Sequence, residues 1–165
     1  MSRVTGPALA LALVVAVLPH SAAAQAAISV SAGAATYDLS GVGTSGIAAV
    51  RGELPLTSAV DFQLGTGFFW YGSQFDNQIA MLLPEAGVLA RVPVGIPLLL
   101  GAGVGHTLGV KGDQEDDPTL YVAAGLELED RAGWAVRPEV RVRMVDPWVG
   151  TIADFTVGVR RSFGG

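Results

Sequence analysis

The sequence predicts an all-β fold: one closed, antiparallel, eight-stranded up-and-down barrel that spans a membrane. Three observations predict it. Residues 27–165 divide into eight segments whose apolar and polar residues alternate with a period of two, the pattern of strands with two unlike faces. Short and long connections between the segments alternate strictly, so successive hairpins gather every tight turn at one end. Across all eight segments one face is nearly devoid of formal charge, while the other collects arginine, glutamate, aspartate and glycine.

Residues 1–26 stand apart from this rhythm. A basic start ("MSR"), an apolar run ("ALALALVVAVL") and a tail of small residues read as a secretory signal peptide, with cleavage expected after Ala24 or Ala26. The run is too short for the ~20 residues that a spanning helix needs. Losing Arg3 leaves 15 acids against nine bases, so the mature chain carries a net charge of −6. An acidic chain without a basic patch excludes a nucleic-acid partner. The absence of cysteine excludes disulfides, thiolate metal sites and a cysteine nucleophile.

The barrel segments follow in order. Segment 27–37 sets Ile28, Val30 and Ala32 against Ser29, Ser31 and Gly33. Segment 46–54 sets Ala48, Val50 and Leu54 against Arg51 and Glu53. Segment 59–71 sets Val60, Phe62, Leu64, Phe68 and Trp70 against Asp61, Gln63 and two glycines. Segment 80–93 sets Ala86, Val88, Ala90 and Val92 against Glu85, Gly87 and Arg91. Segment 97–107 sets Leu98, Leu100, Ala102 and Val104 against three glycines. Segment 119–128 sets Leu120, Val122, Ala124, Leu126 and Leu128 against Gly125 and Glu127. Segment 133–144 sets Trp134, Val136, Val140 and Val142 against Arg137, Glu139, Arg141 and Arg143. Segment 152–163 sets Phe155, Val157, Val159 and Phe163 against Gly158 and Arg160, with Arg161 the one charge on the apolar face. Large apolar residues on the polar face are few, chiefly Phe69, Leu89 and Leu99.

Periodicity alone does not say which face is outside. A soluble, lipocalin-like barrel would turn the valines inward; a membrane barrel does the reverse. The charged face uses arginine and carboxylates, and the single lysine, Lys111, falls in a long connection. Arginine suits buried, multiply hydrogen-bonded pairs. Eight strands enclose a space that side chains just fill, and long Arg and Glu side chains interleaved with Gly fit it. Aromatics gather at strand ends, with Phe68, Phe69, Trp70, Tyr71 and nearby Trp148 at the long-loop end and Trp134 and Phe163 at the short-turn end, as in interfacial girdles. The chain is thus expected in the outer membrane of a diderm bacterium, exported by its signal peptide, with both termini and the short turns in the periplasm. Pro138 lies mid-strand, where a closed barrel has no edge to excuse a missing N–H, and a bulge or local break is expected there. His106 has outward parity and belongs near the long-loop rim.

With its strand count, its alternating loops and the closing segment "FTVGVRRSF", the chain resembles the small eight-stranded outer-membrane β-barrel family, which includes the barrel domain of outer-membrane protein A. The resemblance implies a lumen filled by ion pairs and water. It also implies a last strand read by the barrel-assembly machinery: Phe155, Val157, Val159 and Phe163 match that signal, while Arg161 and the two glycines after the Phe depart from it. The expected lumen network comprises Arg51, Glu53, Asp61, Glu85, Arg91, Glu127, Arg137, Glu139, Arg141, Arg143 and Arg160, with Glu127 and Arg137 close across one hairpin. The expected girdles comprise Phe68, Trp70, Tyr71, Trp134 and Phe163.

Catalytic and metal sites find little support. Lipid A deacylases on this fold use His and Ser two residues apart, whereas this chain reads His106-Thr107-Leu108. The cluster Asp113, Glu115, Asp116 and Asp117 lacks EF-hand spacing and reads as a solvated surface loop. The leading expectation is a non-enzymatic structural or surface-interaction barrel without cofactor or metal, monomeric, with outer-membrane lipid as its surround and no appended domain. A lipid A-modifying enzyme and a narrow small-solute channel are the alternatives; a wide pore is disfavoured at eight strands.

Overall fold

The computed structural model describes residues 25–37, 44–72, 78–93, 95–111, 116–129, 133–146 and 150–163. Residues 1–24 of the expected signal peptide, Asp113, Glu115 and Trp148 lie outside the described residues. Eight strands run in chain order: β1 Ala27–Tyr37, β2 Thr44–Pro55, β3 Val60–Gly72, β4 Gln78–Pro93, β5 Pro97–His106 continued by Leu108–Lys111, β6 Pro118–Leu126 continued by Leu128–Glu129, β7 Trp134–Val145 and β8 Gly150–Ser162. Each pairs antiparallel with the next. Strand β8 pairs with β1 from Ala27↔Ser162 to Tyr37↔Ile152, which closes the barrel and leaves no edge. Left-handed glycines, Gly95 (φ 82°) and Gly133 (φ 75°), sit in the tight β4–β5 and β6–β7 turns, where a side chain would strain the backbone.

The polarity is inside out. Arg141 is 0% exposed, while its neighbour Val140 is 47% exposed. Val30, Val50, Leu64, Val88, Leu100, Val122, Phe155 and Val157 share that outer surface. A continuous apolar exterior around a charged centre is the arrangement of a barrel in hydrocarbon, where every backbone polar group must pair within the sheet.

Mid-strand prolines interrupt that pairing at two seams. The β6–β7 register is the same on both sides of a two-residue gap, from Gly125↔Glu139 to Leu128↔Val136, so the break expected at Pro138 occurs without a bulge. Continuing that register puts Leu126 opposite Pro138, which has no N–H to give. Glu127 turns to the other neighbour, donating its N–H to the Pro97 carbonyl at 2.9 Å. Strand β5 breaks the same way at Thr107, where Pro84 of β4 falls opposite His106 between Glu85↔Gly105 and Leu82↔Leu108. Pro84 lies within segment 80–93, whose alternation gives no sign of the break. The Pro138→Ala variant regains one ladder donor, and its unfolding free energy in lipid vesicles is expected to rise by about 1 kcal/mol; a fall would contradict the missing-donor account.

Candidate functional site

The chemistry-bearing residues converge inside the barrel, in three tiers. At the long-loop end Ala35, Ile47, Phe69, Met81, Leu83, Val145 and Ile152 pack into a dry layer across the lumen. Of these, only Phe69 is among the large apolar residues expected on the inner face. The others carry inward parity within the predicted segments, apart from Val145, which β7 includes one residue beyond segment 133–144.

Below this layer, Glu85 is the hub of a charged tier. Arg51 Nε lies 2.6 Å from Glu85 Oε1 and Arg143 Nη2 lies 3.0 Å from Oε2, while Arg141 Nη1 also binds Oε1. Arg143 reaches Asp154 as well, and Arg141 Nη2 lies 3.0 Å from Glu139 Oε1. The Arg141 guanidinium stacks 4.4 Å over the Tyr121 ring. That ring lies against the wall at Gly87 and Gly103, where any Cβ would collide with it.

The third tier is nearer the short turns. Glu53 accepts from Arg137, at 3.2 Å for one of two contacts, and from Arg160 Nε at 2.9 Å. Arg137 also binds Glu127 across the β6–β7 hairpin, and Arg91 lies between Asp61 (2.8 Å) and Glu127 (3.4 Å). Gln63 joins the two charged tiers: its amide nitrogen donates to Glu53 at 3.3 Å and its oxygen accepts from Arg141 at 2.9 Å.

All eleven charges expected on the inner face are therefore in contact with one another. Asp154 was missed, although inward parity follows from Phe155 and Val157 facing out; it brings the described inner face to six carboxylates and six arginines. The linking roles of Gln63 and Tyr121 were missed too, because neither is charged. Such a set is costly to bury unpaired and approximately self-compensating when paired.

The rims carry the aromatics. Phe68 and Trp70 are exposed on the outer face and stack at 5.8 Å. Trp134 and Phe163 are exposed at the other end, and the Arg161 guanidinium lies 4.9 Å over the Trp134 ring. That contact holds the one charge of the apolar face at an interface. The Tyr71 side chain lies outside the described set. His106 is half-buried at the long-loop end of β5, with Nδ1 2.7 Å from the Thr107 carbonyl. Asp116 accepts from the Gly109 N–H at 3.0 Å, and the described residues contain no group of acids and histidines fit to hold a metal.

No family model matches the chain, and no curated protein matches it in sequence. Solved structures match it in shape. That of neisserial surface protein A superposes with a TM-score of 0.71 at 12% identity, over 84% of this chain and 97% of that one. The N-terminal barrel domain of OprF from Pseudomonas aeruginosa gives 0.62 at 14% identity, over 83% and 97%. Ail, the attachment invasion locus protein of Yersinia pestis, gives 0.59 at 15% identity, over 85% and 99%. The likeness is one of fold: this chain has the architecture of the small outer-membrane barrels.

Proposed function

We propose that the chain is a non-enzymatic barrel of the bacterial outer membrane that acts as a structural element and presents its long connections as a contact surface. The observation that carries this reading is the lumen. A dry layer of Ile47, Phe69, Met81, Leu83 and Ile152 lies across its long-loop end, and beneath it each arginine is ion-paired. A centre closed in this way offers a solute no wetted path, so the surfaces left to act are the lipid-facing wall and the two rims. Ail and neisserial surface protein A, by their own names, belong to attachment and to the cell surface, which fits a contact role on this fold. Lipid surrounds the barrel, the assembly machinery inserts it, and it works as a monomer.

Planar-bilayer recording tests the closed lumen: folded protein is expected to give flat current traces, and stepwise conductance would overturn the reading in favour of a small-solute channel. Lipid A extracted with and without the protein should have the same mass; loss or gain of an acyl chain would make the barrel an enzyme.

A further inference from the structure

Two hollows meet at the short-turn end of β5 and β6. The larger, about 750 Å³, is lined by Arg91, Leu99, Glu127 and Glu129 on the inner parity and by Leu98 and Leu128 on the outer. It therefore straddles the rim, with charge toward the lumen and aliphatic surface toward lipid. The smaller, about 290 Å³, lies on the apolar face and runs past Leu98, Ala124, Leu126, Val140 and Phe155 to Pro138. Leu98 lines both, so the two adjoin. The outer groove lies at the seam where Pro138 removes a ladder hydrogen bond between β6 and β7.

The charges at the rim are specific. The Arg91 side chain is 32% exposed, whereas the other five inner arginines keep 0 to 7%. Glu129, one strand period beyond Glu127, is exposed at the mouth. A partly exposed guanidinium and an exposed carboxylate thus flank one cleft at the water–lipid boundary, with a dry groove beside it. We propose that this cleft holds one zwitterionic phospholipid from the leaflet on the short-turn side. Its phosphate meets Arg91, its ammonium meets Glu129, and one acyl chain lies in the groove that ends at Pro138. Arginine recognises phosphate oxygens through directed N–H donors, and the carboxylates beside it select against a head group that is only anionic. A site of this size, apolar with a few convergent polar groups, is within the range of small-molecule sites. This lipid site goes beyond the contact role proposed above and does not depend on it.

Native mass spectrometry of the barrel, folded in lipid-free detergent, tests the assignment. The probes are short-chain phosphatidylethanolamine, short-chain phosphatidylglycerol and free phosphoethanolamine. One phosphatidylethanolamine per barrel is expected to be retained, roughly tenfold more tightly than phosphatidylglycerol, as loss of one charged hydrogen bond implies. Glu129→Gln should abolish that preference, and Ala124→Trp, which fills the groove, should weaken retention of both lipids. Both positions are exposed, and an unchanged heat-dependent gel shift will show that the variants fold. Equal retention of the two lipids, or retention untouched by either variant, would overturn the site. Binding of the free head group as tight as that of the lipid would overturn the membrane source.

Discussion

Replacing Glu85 by alanine is expected to lower the unfolding free energy of the folded barrel by about 3–5 kcal/mol, the cost of leaving buried charge without its partner. Glu85 lies within ion-pair distance of Arg51, Arg141 and Arg143. Each arginine has another carboxylate in reach: Arg51 has Glu139 at 3.9 Å, Arg141 has Glu139, and Arg143 has Asp154. Removing the hub therefore leaves three guanidinium groups to share two carboxylates in a space closed by the apolar layer. Domains of this size have a total stability of roughly 5–15 kcal/mol, so the loss should be visible as a large shift in urea-induced unfolding in vesicles. Glu85→Gln keeps an acceptor oxygen in place and should cost less than alanine. If both variants unfold within 1 kcal/mol of the wild type, the network contributes little and the lumen is held by packing alone.

The contrast between this tier and the rest of the lumen shows what the sequence made legible. Parity assigned Arg51, Glu85, Arg141 and Arg143 to one face before any partner was known, because a period of two survives in every strand. The Glu127–Arg137 pair was legible for a second reason: a tight turn places the two residues opposite each other in a hairpin. Which other partners meet was not legible. Glu53 binds Arg137 and Arg160, 84 and 107 residues away, and those contacts depend on closure and tilt of the barrel, which local patterning does not encode. The dry layer lies almost wholly inside the segments read as strand: of its members only Val145 falls beyond them. Ile47, Met81, Leu83 and Ile152 share the inward parity, but the charges and glycines of that face masked them as a packed cluster. The break at Pro138 could be anticipated from proline chemistry, but its form, a two-residue gap with the register kept, depends on the neighbour to which Glu127 turns.

Val140→Arg tests the orientation on which these inferences rest. Val140 lies midway along β7, exposed on the outer face beside Ala124 and Phe155. In a bilayer an arginine at this depth is expected to cost about 2–4 kcal/mol, while the same change near an interface costs ~0–1 kcal/mol. Val136, two residues from the girdle residue Trp134, supplies the interfacial control. Unfolding of both variants in vesicles should therefore separate them by at least ~1 kcal/mol, with Val140→Arg the weaker. In water the penalty vanishes: an arginine exposed on a soluble barrel would be within ±0.5 kcal/mol of neutral at either position, and it would relieve an apolar patch. The inner face gives the mirror result. Arg141→Val removes the guanidinium that Glu85, Glu139 and Gln63 bind and leaves a void in its place, and it should destabilise even though valine is the residue that the outer face prefers. A protein that tolerates arginine at position 140 and valine at position 141 equally well has no fixed inside, and an apolar exterior would then be no guide to the solvent it meets.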